Sequence, residues 1–251
     1  MLEYFARHAT HCKAMSNAEV STLVLLPGMD GTGTLFTRFV RALPKSLDSK
    51  IIAYPARTPL DYAQLLDLVW SQLPTDRSYA LLAESFSGPL GIELAARRPP
   101  GFAKLVLCCT FARNPRPSLN AFARLLPVLP LRKSPLGLIG RVLMGRSFQR
   151  ELQADFLEAM SRLTPETIRG RARAVLDVDV LARLQAIDIP VLYLQASQDL
   201  VVPPTAAALI TAAKPEVELV VLPAPHFLLQ TRPAEAAHLV GNFLASDAKG
   251  R

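Results

Sequence analysis

Six short apolar runs recur along the chain, at residues 22–26, 51–54, 79–83, 104–109, 191–196 and 217–222, each bounded by Pro, Gly or charged residues. Most are continuously apolar rather than alternating, which is the pattern of a strand covered on both faces. Between the second and third runs, Tyr62, Leu65, Leu66, Val69, Trp70 and Leu73 fall on one helical stripe. Residues 90–96, 206–213 and 234–244 also suit helices packed on a sheet. Strand runs alternating with helical segments predict an α/β doubly wound fold with a parallel central sheet.

From Arg113 to about Asp179 the strand rhythm stops, and Leu, Pro and Arg dominate. A structureless loop of that length is improbable, so a helical insertion between two core strands is expected. The implied organisation is an N-terminal tail at 1–19, a core at 20–112 and 180–246, and a helical cap at 113–179. Between Phe111 and Val175 stand twelve Lys/Arg against four Asp/Glu, a local charge of +8, while the other 186 residues sum to −1. The overall +7 therefore belongs to the insertion, which argues against nucleic acid as a partner of the core. No uncharged apolar run reaches the ~18 residues of a membrane span, and the first twenty residues lack a signal-peptide pattern. Cys12, Cys108 and Cys109 leave an odd thiol, and the vicinal pair would be strained as a disulfide. Reduced thiols and a cytoplasmic location are expected.

The run at 79–83 leads into Glu84, Ser85, Phe86, Ser87, Gly88 and Pro89, and then a helical segment. A serine between small residues at a sharp strand-to-helix turn is the pattern of a nucleophile elbow, although a strand-end or helix-capping serine reads similarly. Serine needs a base to take its proton and an acid to orient that base. Of the four histidines, His8 and His11 lie in the tail and His238 falls on a helix face. His226 directly follows the last strand run, where open α/β sheets bind ligands. Asp199 follows the run at 191–196, whereas Asp177, Asp179 and Asp188 precede it. The order Ser85, Asp199, His226 is that of a serine-hydrolase triad, each member on a loop after a strand. The glycine-rich turn Pro27, Gly28, Met29, Asp30, Gly31, Thr32, Gly33 follows the first run and can aim an N–H at the same place. The oxyanion hole is assigned to the N–H groups of Met29 and Phe86. Gly28, Gly31 and Gly33 read as neither a dinucleotide fingerprint nor a phosphate loop, so no nucleotide is expected.

With LPGMDGTGTLF and AESFSGP in place, the chain resembles the α/β-hydrolase superfamily over residues 20–245. More narrowly it is similar to esterase or lipase-like hydrolases related to the acyl-transferring domains of plant phytyl ester synthases. That resemblance implies a mostly parallel eight-stranded sheet with a helical cap inserted after the sixth strand, and ester hydrolysis without cofactor or metal. Two positions depart from the family pattern: Glu84 beside the nucleophile, and Ser87 at a position where Gly is usual.

The expected activity is a carboxylesterase-type serine hydrolase acting on small-molecule esters of apolar acyl groups through an acyl enzyme. Apolar cap residues such as Leu125, Leu136, Ile139 and Leu143 are candidates for an acyl pocket. Two alternatives stay open. An acyltransferase or acyl thioesterase would take CoA or carrier-protein thioesters, with the basic cap attracting an acidic acyl carrier; a non-catalytic binder would keep the pocket alone.

Overall fold

The computed structural model describes residues 20–117 and 136–246. The tail at 1–19, with His8, His11 and Cys12, and the helical pattern around Leu125 lie outside the described residues. The chain runs β1 (Thr22–Leu26), α1 (Thr37–Ala42), β2 (Asp48–Ile51), α2 (Tyr62–Trp70), β3 (Tyr79–Glu84), α3 (Gly88–Arg97) and β4 (Phe102–Cys108). After β4 come α4 (Leu136–Met144), α5 (Arg150–Ser161) and α6 (Pro165–Asp177). The chain then returns to β5 (Val191–Ala196), α7 (Pro204–Ala213), β6 (Glu218–Leu222), the short α8 (Leu228–Thr231) and α9 (Pro233–Ala245).

The strands form one sheet in the order β2-β1-β3-β4-β5-β6, with every pairing parallel. Among the described residues the sheet has six strands, not the eight implied by the family resemblance, and the helical insertion follows the fourth strand rather than the sixth. The physical reason lies in the apolar runs: five of the six coincide with strands, the run at 51–54 only abuts β2 at Ile51, and no further run stands behind the two extra strands.

Successive side chains of a strand point to opposite faces, and here both faces are covered. Val24 and Leu26, Leu81 and Ala83, and Leu105 and Leu107 join one core, together with α2, α3 and α7. Leu23 and Leu25, Ala80 and Leu82, and Val106 and Cys108 join the other, under α1 and α9. Edge strands obey a different rule. All four residues of β2 are exposed, as is most of β6. Asp48, Lys50 and Glu218 place charge on these unpaired edges, which discourages pairing with another chain.

Local signals set the helix starts that matter for the site. Asp61 and Gln64 make a reciprocal capping box for α2. For α6, the Thr164 hydroxyl accepts from the Thr167 N–H and Pro165 occupies the first turn. At the base of the insertion Arg113 and Asp179 pair across an antiparallel bridge and form an ion pair of 2.7 Å. No described helix is long and apolar enough to cross a membrane. Cys108 and Cys109 are free, buried thiols with sulfurs 4.0 Å apart.

Candidate active site

Ser85 begins the single helical turn between β3 and α3 and has φ of 49°, a left-handed conformation that non-glycine residues seldom adopt. Close packing sustains that strain. A Cβ on Gly91 would lie 2.9 Å from the Ala83 methyl, and one on Gly88 would run into the Thr110 side chain. The small residues required by the elbow thus extend into the first turns of α3. The Thr110 hydroxyl donates to the Ser85 carbonyl. Thr110 is itself bracketed by Tyr193, whose hydroxyl donates to the Thr110 carbonyl at 2.6 Å and accepts from its N–H at 3.2 Å.

Ser85 Oγ lies 2.9 Å from His226 Nε2, and His226 Nδ1 lies 2.7 Å from Asp199 Oδ2. A carboxylate only accepts, so Nδ1 carries the ring proton and Nε2 is left to accept from the serine hydroxyl. Asp199 Oδ1 accepts from the N–H groups of Val201 and Val202 at 2.7 and 2.9 Å, which fixes the carboxylate plane. The His226 and Asp199 side chains are 6% and 4% exposed, so water does not compete for this relay. The structure brings all three sequence-predicted residues together. His238 is instead on the exposed face of α9 beside Asn242, Asp179 and Asp188 are paired with Arg113 and Arg98, and Asp177 is exposed.

The turn after β1 is closed by the Gly31 N–H donating to the Gly28 carbonyl at 3.0 Å. Met29 and Phe86 both line the cavity above Ser85. Ser87 fills its crowded place productively: its hydroxyl donates to the Pro27 carbonyl and pairs with the Tyr54 hydroxyl at 2.5 Å. The side chain that departs from the family pattern therefore ties the elbow to the glycine-rich turn. Tyr62 stacks on the Phe86 ring at 4.8 Å and donates to the Phe86 carbonyl at 2.8 Å.

Above Ser85 and His226 opens a cavity of about 350 Å³ walled by Leu136, Ile139 and Leu143 of α4, Phe156 and Met160 of α5, and Ile168 and Val175 of α6. The helices of the insertion pack on Leu35 and Phe227 of the core, so the apolar walls stand directly over the serine. Four of the insertion's twelve cations, all among the described residues, are paired or buried. Arg113, Arg162 and Arg169 pair with Asp179, Glu158 and Glu166, and Arg171 is buried. Among the described residues nothing favours an acidic carrier there.

Glu84 is buried beside Ser85 and accepts from Gln230 Nε2 at 2.8 Å. Burial pushes its carboxyl up to about 7, the Gln230 hydrogen bond opposing and the nearby Asp30 reinforcing the rise. An unfolded glutamate ionises near 4.3. Between those values the folded protein holds a proton that the unfolded chain has lost, so Glu84 makes stability fall as pH rises through that window and level off above it. Glu84→Gln, which keeps the contact to Gln230, is expected to raise Tm at pH 8 and to leave it unchanged at pH 4. A Tm difference that does not vary with pH would contradict this.

A family model described as the alpha/beta hydrolase fold matches residues 58–233, and the chain belongs to that family. Solved structures share this fold at low identity. The enol-lactonase from Burkholderia xenovorans LB400 superposes with a TM-score of 0.78 at 18% identity, covering 91% of this chain and 93% of that one. A hydrolase from Pseudomonas aeruginosa PA01 gives 0.76 at 23% identity over 90% and 91%. An esterase from Exiguobacterium antarcticum gives 0.76 at 18% over 91% and 94%. No curated protein matches the sequence.

Proposed function

We propose that the protein is a serine-dependent carboxylic ester hydrolase of the carboxylesterase type, with Ser85 as nucleophile, His226 as base, Asp199 as orienting acid, and the Met29 and Phe86 N–H groups as oxyanion hole. The observation that carries this reading is the unbroken contact chain from Ser85 through His226 to Asp199, opening into an apolar cavity. An esterase and an enol-lactonase among the similar structures fit the same chemistry.

His226 Nε2 removes the Ser85 proton as Oγ attacks the ester carbonyl, and the two N–H groups receive the charge on the carbonyl oxygen. The imidazolium then protonates the departing alcohol, leaving an acyl enzyme. Water deprotonated by the same Nε2 releases the acid. Residues 113–179 serve as a cap, and its apolar walls hold the acyl chain. The buried free thiols of Cys108 and Cys109 fit a reducing, cytoplasmic setting.

A fluorophosphonate probe is expected to label Ser85 in wild type and leave Ser85→Ala unlabelled; an unreactive wild type would sink the reading. Each methylene buried in the cavity contributes up to about 0.8 kcal/mol. For p-nitrophenyl esters, kcat/KM should therefore rise by up to about fourfold per carbon from acetyl until the cavity is filled. Equal kcat/KM from acetyl to octanoyl would refute the acyl-pocket assignment.

A further inference from the structure

Arg171 is 1% exposed and is the largest of the fully buried side chains among the described residues. It projects from α6, which lies close on the loop after β2: the Thr164 N–H donates to the Ala56 carbonyl at 3.2 Å, and a Cβ on Gly170 would lie 3.0 Å from the Pro59 ring. The guanidinium meets main-chain carbonyls. Nη1 donates to Met29 at 2.8 Å and to Asp30 at 2.7 Å, and Nη2 donates to Pro55 at 3.0 Å. Its Cζ lies over the Tyr54 ring, 5.7 Å from the centroid. Among the described residues no carboxylate forms an ion pair with it. A cation buried this way is expensive unless its donors are used, and a planar fork suits several converging carbonyls better than an ammonium would.

Two of those carbonyls belong to consecutive residues of the turn that carries the Met29 N–H. The Met29–Asp30 peptide is the central unit of the turn closed by Gly28 and Gly31. Such a unit has two arrangements, related by a flip of its carbonyl, and the second needs positive φ at the third residue. Asp30 is not among the residues with positive φ. Arg171 is not among the residues lining the cavity, so carbonyls aimed at it are not aimed at the reacting centre. A Cβ on Gly31, which has φ of 68°, would collide with the guanidinium, so turn and arginine are packed without slack.

We propose that Arg171 is a positioning residue of the oxyanion site: it locks the Met29–Asp30 peptide with its carbonyl turned away from the cavity. This rests on the reading above that the Met29 N–H receives the oxyanion. Lost alignment of such a donor costs about 10- to 100-fold.

The test compares wild type, Arg171→Ala and Arg171→Lys on p-nitrophenyl butyrate, with a trifluoromethyl ketone as a mimic of the tetrahedral oxyanion. Thr167→Val, which loosens the buried start of α6 without touching the turn, is the control. Both arginine variants are expected to lose about 10- to 100-fold in kcat with KM within threefold, and to lose ketone affinity by the same factor. Millimolar methylguanidinium should restore part of kcat to Arg171→Ala alone. Thr167→Val should lower Tm and leave kcat unchanged. If Arg171→Ala does not fold, Arg171→Lys decides on kcat and ketone affinity. Kinetics and ketone affinity within twofold of wild type, or an equal loss in Thr167→Val, would overturn the proposal. A wild type that neither hydrolyses esters nor reacts with a fluorophosphonate would overturn the hydrolase reading instead.

Discussion

Alanine at Ser85 or at His226 is expected to lower kcat by about six orders of magnitude, and the double variant should be scarcely slower than either single one. The non-additivity follows from the contact chain. Without Oγ there is nothing for Nε2 to deprotonate, and without Nε2 at 2.9 Å the hydroxyl keeps its proton. What survives in each case is the oxyanion hole and the cavity, worth ~10³- to 10⁴-fold over water in another serine hydrolase dissected this way. Ser85→Ala is the cleaner variant, because it keeps the backbone at φ 49° and removes one half-buried oxygen. His226→Ala opens a space in a site that is 5% exposed, so its Tm needs measuring alongside kcat. Steady-state kinetics on a p-nitrophenyl ester at fixed pH supply the test. A His226→Ala enzyme that still labels with a fluorophosphonate at the wild-type rate would remove histidine from the mechanism.

The parts of this site that could be read from sequence are those whose signal is local. Ser85, Asp199 and His226 each follow an apolar run, and strand ends at one edge of a parallel sheet meet in space. Five of the six runs became strands, whereas the two further strands came from the family resemblance and had no run behind them. The second run was misplaced for a physical reason. Residues 51–54 look like a strand because Ile52 and Tyr54 are buried, but β2 is Asp48–Ile51, an exposed edge whose polar residues carry no apolar pattern. Thr110, Tyr193 and Gln230 gave no signal because their partners are tertiary. Arg171 gave no signal either: in sequence it is one of twelve basic residues between Phe111 and Val175. Its burial depends on carbonyls 116 and 142 residues away in the chain, which only the folded loops bring together.

Asp199→Ala should cost about 10⁴ in kcat, less than loss of either neighbour, because the imidazole still reaches Ser85 and only its orientation and tautomer are released. Asp199→Asn is the more informative change. The Oδ1 position still accepts from the Val201 and Val202 N–H groups, so the side chain stays in place, and its amide nitrogen falls where Oδ2 faced the ring at 2.7 Å. An N–H there donates to Nδ1 and forces the ring proton onto Nε2, which can then no longer accept from Ser85. The asparagine variant is accordingly expected to lose about 10⁴ in kcat although nothing has moved. Asp179→Asn and Asp188→Asn break ion pairs at the surface, where such pairs contribute little, and should leave kcat within twofold. Full activity in Asp199→Ala would reassign the acid. Full activity in Asp199→Asn alone would mean that the carboxylate orients the ring without choosing its tautomer, which the contact of Oδ2 with Nδ1 argues against.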